Sequence, residues 1–170
     1  MAIMPQTSYG VRPDKWLAGQ RPYSDQTDLV IAKMSEDGIN PGLFVAMGTD
    51  TDMGVIAPAA STDVTDLGSL QGVVLYKPAL EPADPNFPIG ATLAVLRRGI
   101  VACLCDGTVT DGGPLFICYG AGASSAVLGS VRADAGSGTY AAVAPKGCRV
   151  YKGATGKGSI CLVEVNLPGA

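Results

Sequence analysis

Cys103 and Cys105 stand two residues apart in one apolar run, with Cys118 close by in the next. On a strand that spacing places both thiols on one face, the arrangement a thiolate metal site would need. Structural zinc draws its ligands from turn-borne CxxC pairs, and the chain has none. Cys148 and Cys161 bring the count to 5, an odd number placed within apolar runs. That usage reads as reduced thiols packed like small hydrophobes, not as a disulfide scaffold. Acid–base chemistry is equally short of parts, because the chain holds no histidine. Imidazole triads and His-ligated catalytic zinc are therefore excluded. Asp106 and Asp111 each precede glycine, where a carboxylate is expected to bond its local backbone. The stretch GATGKGS at 153–159 invites a phosphate reading. Gly158 stands where Ser or Thr must follow the lysine, Tyr151 stands where the first glycine belongs, and a strand follows in place of a helix. No catalytic residue, cofactor site or metal site is expected.

The elements that would carry these residues are strands. Glycine and proline supply 23 and 12 of 170 residues, while 47% are apolar, which suits many short strands and turns around one core. A net charge of −3 does not favour nucleic acid, which asks for a dense basic surface. No apolar run reaches the ~18–20 residues that cross a bilayer, and the start lacks the pattern of a secretory signal. Strands are expected at 43–47, 55–57 and 70–77, the last with a bulge at Gly72. Residues 78–88 hold four prolines and read as a stiff loop. Residues 92–97 and 100–105 read as two strands meeting at an Arg98-Gly99 corner, with a third at 115–119 after glycine-rich turns. Both are apolar on two faces, so a second sheet or a neighbouring subunit must cover them. The small-residue stretch 120–138 reads as a mobile loop with one weak strand at 127–131, before strands at 139–143, 148–152 and 159–167.

The expected fold is all-β: a compact antiparallel sandwich or barrel, jelly-roll-like in one form, spanning 38–170. Residues 1–37 carry scattered charges and prolines and read as an extended arm with a short strand or helical turn. Trp16, Leu17 and Tyr23 are large side chains in an otherwise polar stretch, hence the expected anchors of that arm, on a partner or on the protein's own core. Arg97 and Arg98, beside the corner, are expected either at an interface or in a solvated turn.

Residues 89–119, with LAVLRRGIVACLCDGTVTDGGPLFICY, resemble the central region of the structural cement (capsid decoration) proteins of tailed bacteriophages. In that region a strand ends in a basic-Gly corner, a second strand follows, and a DG-x-V-x-x-G-x-P turn leads to a third. Residues 142–167 are similar to the family's ending, a Gly-rich turn before a final V-E-V-N-L strand. The resemblance spans roughly 38–167 and leaves the arm unaligned. It implies a non-enzymatic virion protein, made in the bacterial host cytoplasm, on the outer capsid surface. Its implied partners are the major capsid protein and further copies of itself, as dimer or trimer, with no direct nucleic acid and no membrane. It would cement neighbouring capsid subunits against the pressure of packaged genome. A tail or head–tail joining component is the alternative. If an apolar face of 100–105 packs between subunits, sedimentation at micromolar concentration will find an oligomer; a stable monomer refutes this.

Overall fold

In the computed structural model, residues 16–22, 28–77, 86–120, 127–135 and 140–167 are described. The stiff loop expected at 78–88 falls largely outside them, as do residues 121–126 and 136–138 of the glycine-rich stretch after Gly120. Strands β1 (Leu29–Ser35), β2 (Phe44–Met47), β3 (Gly54–Ile56), β4 (Leu70–Val74) and β5 (Thr92–Leu104) lie in the order β1-β3-β2-β4-β5, and β5 pairs again with β1. The sheet thus closes into a five-stranded barrel. Beyond β5 it continues through β10 (Ile160–Asn166) to β9 (Arg149–Lys152). A separate three-stranded sheet holds β6 (Phe116–Cys118) between β7 (Val131–Arg132) and β8 (Ala141–Val143).

The all-β expectation resolves into a barrel with a small sheet against it. One strand pair and one isolated bridge depart from the antiparallel expectation: Met34 and Ser35 of β1 lie parallel to Gly54 and Val55 of β3, and Cys105 bridges Val131 in parallel. The β2–β3 hairpin inserts with β3 next to β1, and both strands run opposite to β2. β1 itself comes from the 1–37 segment, whose last part is therefore a stave of the barrel. One short helix, α1 (Ser61–Thr65), adds to the expected strands. The Asp63 carboxylate accepts from the amides of Ala59 at 2.8 Å and Ala60 at 2.9 Å, holding its start, and Val64 is buried in the core.

The largest correction concerns the Arg98-Gly99 corner. The chain does not turn there; β5 is one strand of 13 residues, about 40 Å long at the usual rise. Leu29 pairs with Arg98 but Val30 pairs with Leu96, leaving Arg97 as an extra residue in a β-bulge. Gly99 follows at φ +134, where L side chains are strained. Side-chain alternation changes sense across the bulge. Leu93 and Val95 point into the barrel beside Val45, Val55 and Val74. Leu96 points the other way, into a second core that beyond the bulge receives the odd residues Val101 and Cys103. That second core is closed by Ile117 and Val131 of the small sheet and by Val163 and Val165 of β10. Before the bulge both faces of β5 are covered within the chain, Leu93 and Val95 by the barrel filling and Leu96 by the second core. Beyond it the face of Val101 and Cys103 is covered, while Ile100 and Leu104 on the other face are half-buried. Ile39 and Phe87, bonded through both their backbones at 3.1 and 2.8 Å, are buried with the barrel filling.

Cys103, Cys105 and Cys161 belong to this second core, with Cys148 packed against it. Cys103 and Cys161 face each other across β5 and β10, and the Cys161 thiol donates to the Cys103 carbonyl at 3.7 Å. Burial pushes the Cys103 thiol up, and that of Cys148 up to about 11, so they are protonated packing groups.

Gly72 marks the bulge expected in β4: Val45 pairs with Gly72 and Ala46 with Leu70. Its φ is +136, and a Cβ there would lie 2.2 Å from the Leu96 carbonyl oxygen. Gly90, at φ +81, has open space around it. Gly72→Ala should therefore cost on the order of 2–4 kcal/mol in urea denaturation. Gly90→Ala, which meets only the backbone penalty, should cost about 1 kcal/mol. Equal losses would contradict the tight β4–β5 packing.

Candidate functional site

The described part of the N-terminal segment is seated on the barrel. Where β1 ends its pairing with β5, residues 19–20 take over the same edge. The Gly19 amide donates to the Ala102 carbonyl at 2.7 Å, and the Ala102 amide donates to the Gln20 carbonyl at 2.9 Å. The Tyr76 amide donates to the Gly19 carbonyl at 2.9 Å. Only glycine fits: φ is +78 and a Cβ would meet Tyr76 N at 2.6 Å. Residues 19–20 and β1 thus both lie antiparallel to β5, and Arg21 pairs with Asp28 at 3.1 Å.

This places the expected anchors. Trp16 is half-buried and Leu17 is 54% exposed, just before the seated turn. Tyr23 lies outside the described residues. Arg97 and Arg98 are adjacent in sequence but separated by the bulge. Arg97 is 5% exposed, lining the barrel mouth, and desolvation holds its pKa below the usual guanidinium value. Arg98 is exposed, and its Nε donates to Asn166 Oδ1 at 3.2 Å. Leu17 and Arg98 both lie along β5 but do not form one cluster: Arg98 is about 13 Å down the strand from Ala102.

Sequence reasoning missed two exposed apolar side chains held on fixed turns at one end of the barrel. Met53 is 46% exposed and Ile89 is 73% exposed. Their turns flank the end of β1: the Met34 amide donates to the Met53 carbonyl at 2.8 Å, and the Gly90 amide donates to the Ser35 carbonyl at 2.7 Å. With one strand between them, their backbones stand about 10 Å apart. The first turn is clamped from below by Glu36, which accepts from the amides of Thr49 and Asp50, both at 2.8 Å. The Asp50 carboxylate then accepts from the amides of Asp52 and Met53 at 3.0 and 3.2 Å. Gly54 leaves room for that clamp, since a Cβ there would sit 1.8 Å from Glu36 Oε1. The available signal was a large apolar residue beside glycine in a turn, in Asp52-Met53-Gly54 and Pro88-Ile89-Gly90.

The carboxylates in the DG turns reach beyond their own turns. Asp106, its side chain 6% exposed, pairs with Arg132 at 3.0 Å and Lys157 at 3.1 Å. Arg132 also lies over the Tyr140 ring, 4.8 Å from its centroid. Asp111 Oδ1 accepts from the Gly153 amide at 2.6 Å. The lysine of the GATGKGS stretch is thus an ion-pair partner that ties the β9–β10 loop to the turn after β5.

The profile of a family described as "Structural cement protein (E217 gp24/Pam3 gp6)" matches residues 4–166. The chain belongs to the phage structural cement proteins. A cement protein is a structural capsid component of the virion, not an enzyme. No curated protein matches it in sequence. Among solved structures, it is similar to a chain of the capsid of Myoviridae Phage XM1 at 16% identity and a TM-score of 0.67. That match covers 97% of this chain and 98% of the other, and establishes a shared fold. It is also similar to the head fiber gp8.5 N base of bacteriophage phi29, at 11% identity and a TM-score of 0.49, covering 85% and 98%. The surface features of this cement protein described so far are the seated N-terminal segment, the two apolar tips and the barrel mouth.

Backbone amides hold the Glu36 carboxyl below its ordinary value of 4.5. A depressed carboxyl contributes above its unfolded pKa and loses that contribution as pH falls through the folded value. Amide exchange at Thr49 and Asp50, taken relative to its intrinsic rate at each pH, should therefore accelerate as the pH falls through that lowered value in the native cement protein. In Glu36→Gln it should be fast at pH 7 as well. Unchanged protection in that variant would refute the clamp.

Proposed function

We propose that this cement protein binds the outer surface of the phage capsid as a small homo-oligomer, dimer or trimer. There it fastens neighbouring major capsid protein subunits against the outward pressure of packaged genome. The family match across residues 4–166 carries this reading. It is supported by a rigid barrel that offers Met53 and Ile89 on backbone-clamped turns, so that ordering them on a partner costs little conformational entropy. Trp16 and Leu17, just ahead of the point where the N-terminal segment is seated on β5, give a second set of anchors on the same molecule, and Tyr23 and Arg98 would extend it. Contacts to adjacent capsid subunits then reinforce one another through high effective concentration. No chemical turnover is involved.

Purified protein added to empty capsids should decorate them and raise the temperature at which they rupture. Met53→Asp combined with Ile89→Asp changes exposed side chains and should leave the melting temperature nearly unchanged. Capsid affinity should fall by a factor of about 30 or more, the weight of one or two buried anchors. Association with purified tails and not with capsids would overturn the reading.

A further inference from the structure

The barrel is apolar through most of its length but cationic at one opening. Before Met34, β3 gives β1 no partner on one side, and residues of that first part of β1 border a cavity of about 650 Å³. Two of its lining groups are buried cations, Lys33 at 8% exposure and Arg97 at 5%. Lys33 Nζ donates to the Asp52 carbonyl at 2.6 Å, a single neutral acceptor for an ammonium with three donors. Among the described residues no carboxylate pairs with Lys33. The nearby Glu36 carboxylate is taken up by the Thr49 and Asp50 amides. Gln71, 3% exposed, spends its amide on the Gly68 and Ser69 carbonyls. Leu29, Ile31, Met47 and Leu67 make much of the remaining lining aliphatic, and Thr51 and Asp52, both exposed, add a hydroxyl and one carboxylate to it.

A buried ammonium with so little compensation is costly, and a carboxylate is the group that relieves the cost. The aliphatic lining suits a carboxylate carried on a short hydrocarbon stem. We propose that the barrel mouth is a receptor for such a carboxylate, supplied by an acidic side chain of the capsid protein; the choice of donor rests on the cement reading above. The mouth sets register: the apolar tips provide contact area, and one acidic residue inserted beside Lys33 and Arg97 fixes where on the shell the barrel stands.

The probe is glutarate, a carboxylate on a three-carbon stem, compared with chloride at equal ionic strength and pH 7. The wild-type melting temperature should rise by about 2–4 °C at saturating glutarate. Lys33→Met keeps the aliphatic length and removes the charge; it should lose the response and bind empty capsids at least tenfold more weakly. Leu67→Glu, at a position 43% exposed on the rim, supplies an internal carboxylate and should do the same even if Lys33→Met fails to fold. Capsid decoration by wild type with no glutarate response, or a response retained in Lys33→Met, would overturn the receptor site. A glutarate response without any capsid binding would overturn the cement reading, and with it the capsid as donor. Variants that lose self-association in sedimentation but bind capsids normally would overturn that donor in favour of a second copy.

Discussion

The bulge at Arg97 in β5, with Gly99 just beyond it, is the constraint on which the rest of this structure depends. A regular strand of this length would keep one set of side chains on one face throughout. By inserting one residue opposite β1, the chain lets a single strand line the barrel with Leu93 and Val95. The same strand then lines the second core with Val101 and Cys103. Barrel filling and second core are therefore lined by one continuous strand. The same bulge separates Arg97 from Arg98, sending one guanidinium to the barrel mouth and the other to the outside.

Around that strand, polar groups do the joining that apolar packing cannot. Asp106 gathers Arg132 and Lys157, connecting the turn after β5 to β7 and to the β9–β10 loop. Buried or half-buried pairs of this kind contribute less net stability than their geometry suggests, because both ions give up hydration. Their value here is in fixing which loop lies against which. The Glu36 clamp acts in the same way on the turn that carries Met53. Both devices hold their turns through groups of the chain itself.

The edge of β5 that the barrel leaves unpaired is filled by the protein's own N-terminal segment at Gly19 and Gln20. An open strand edge invites uncontrolled pairing with other chains, so covering it has a protective consequence. It also means that whatever Trp16 and Leu17 contact starts from a fixed root on the barrel.

Much of the fold was legible in the residues. The strands near 43–47, 70–77, 115–119 and 159–167 announced themselves through apolar runs bounded by turn residues, and the bulge at Gly72 through a lone glycine. The absence of histidine by itself rules out imidazole chemistry. Other features depend on neighbours far along the chain. Arg-Gly reads equally as a corner or a bulge, and only the pairing of β5 with both β1 and β10 across it keeps the strand continuous. DG signals a turn, but not that Asp106 will find its partners at Arg132 and Lys157. Composition and local patterning thus determined that the protein is an all-β structure without His-based chemistry. Which side chains share a surface was decided by tertiary structure, because β-ladders join segments whose separation in sequence carries no information about their distance in space.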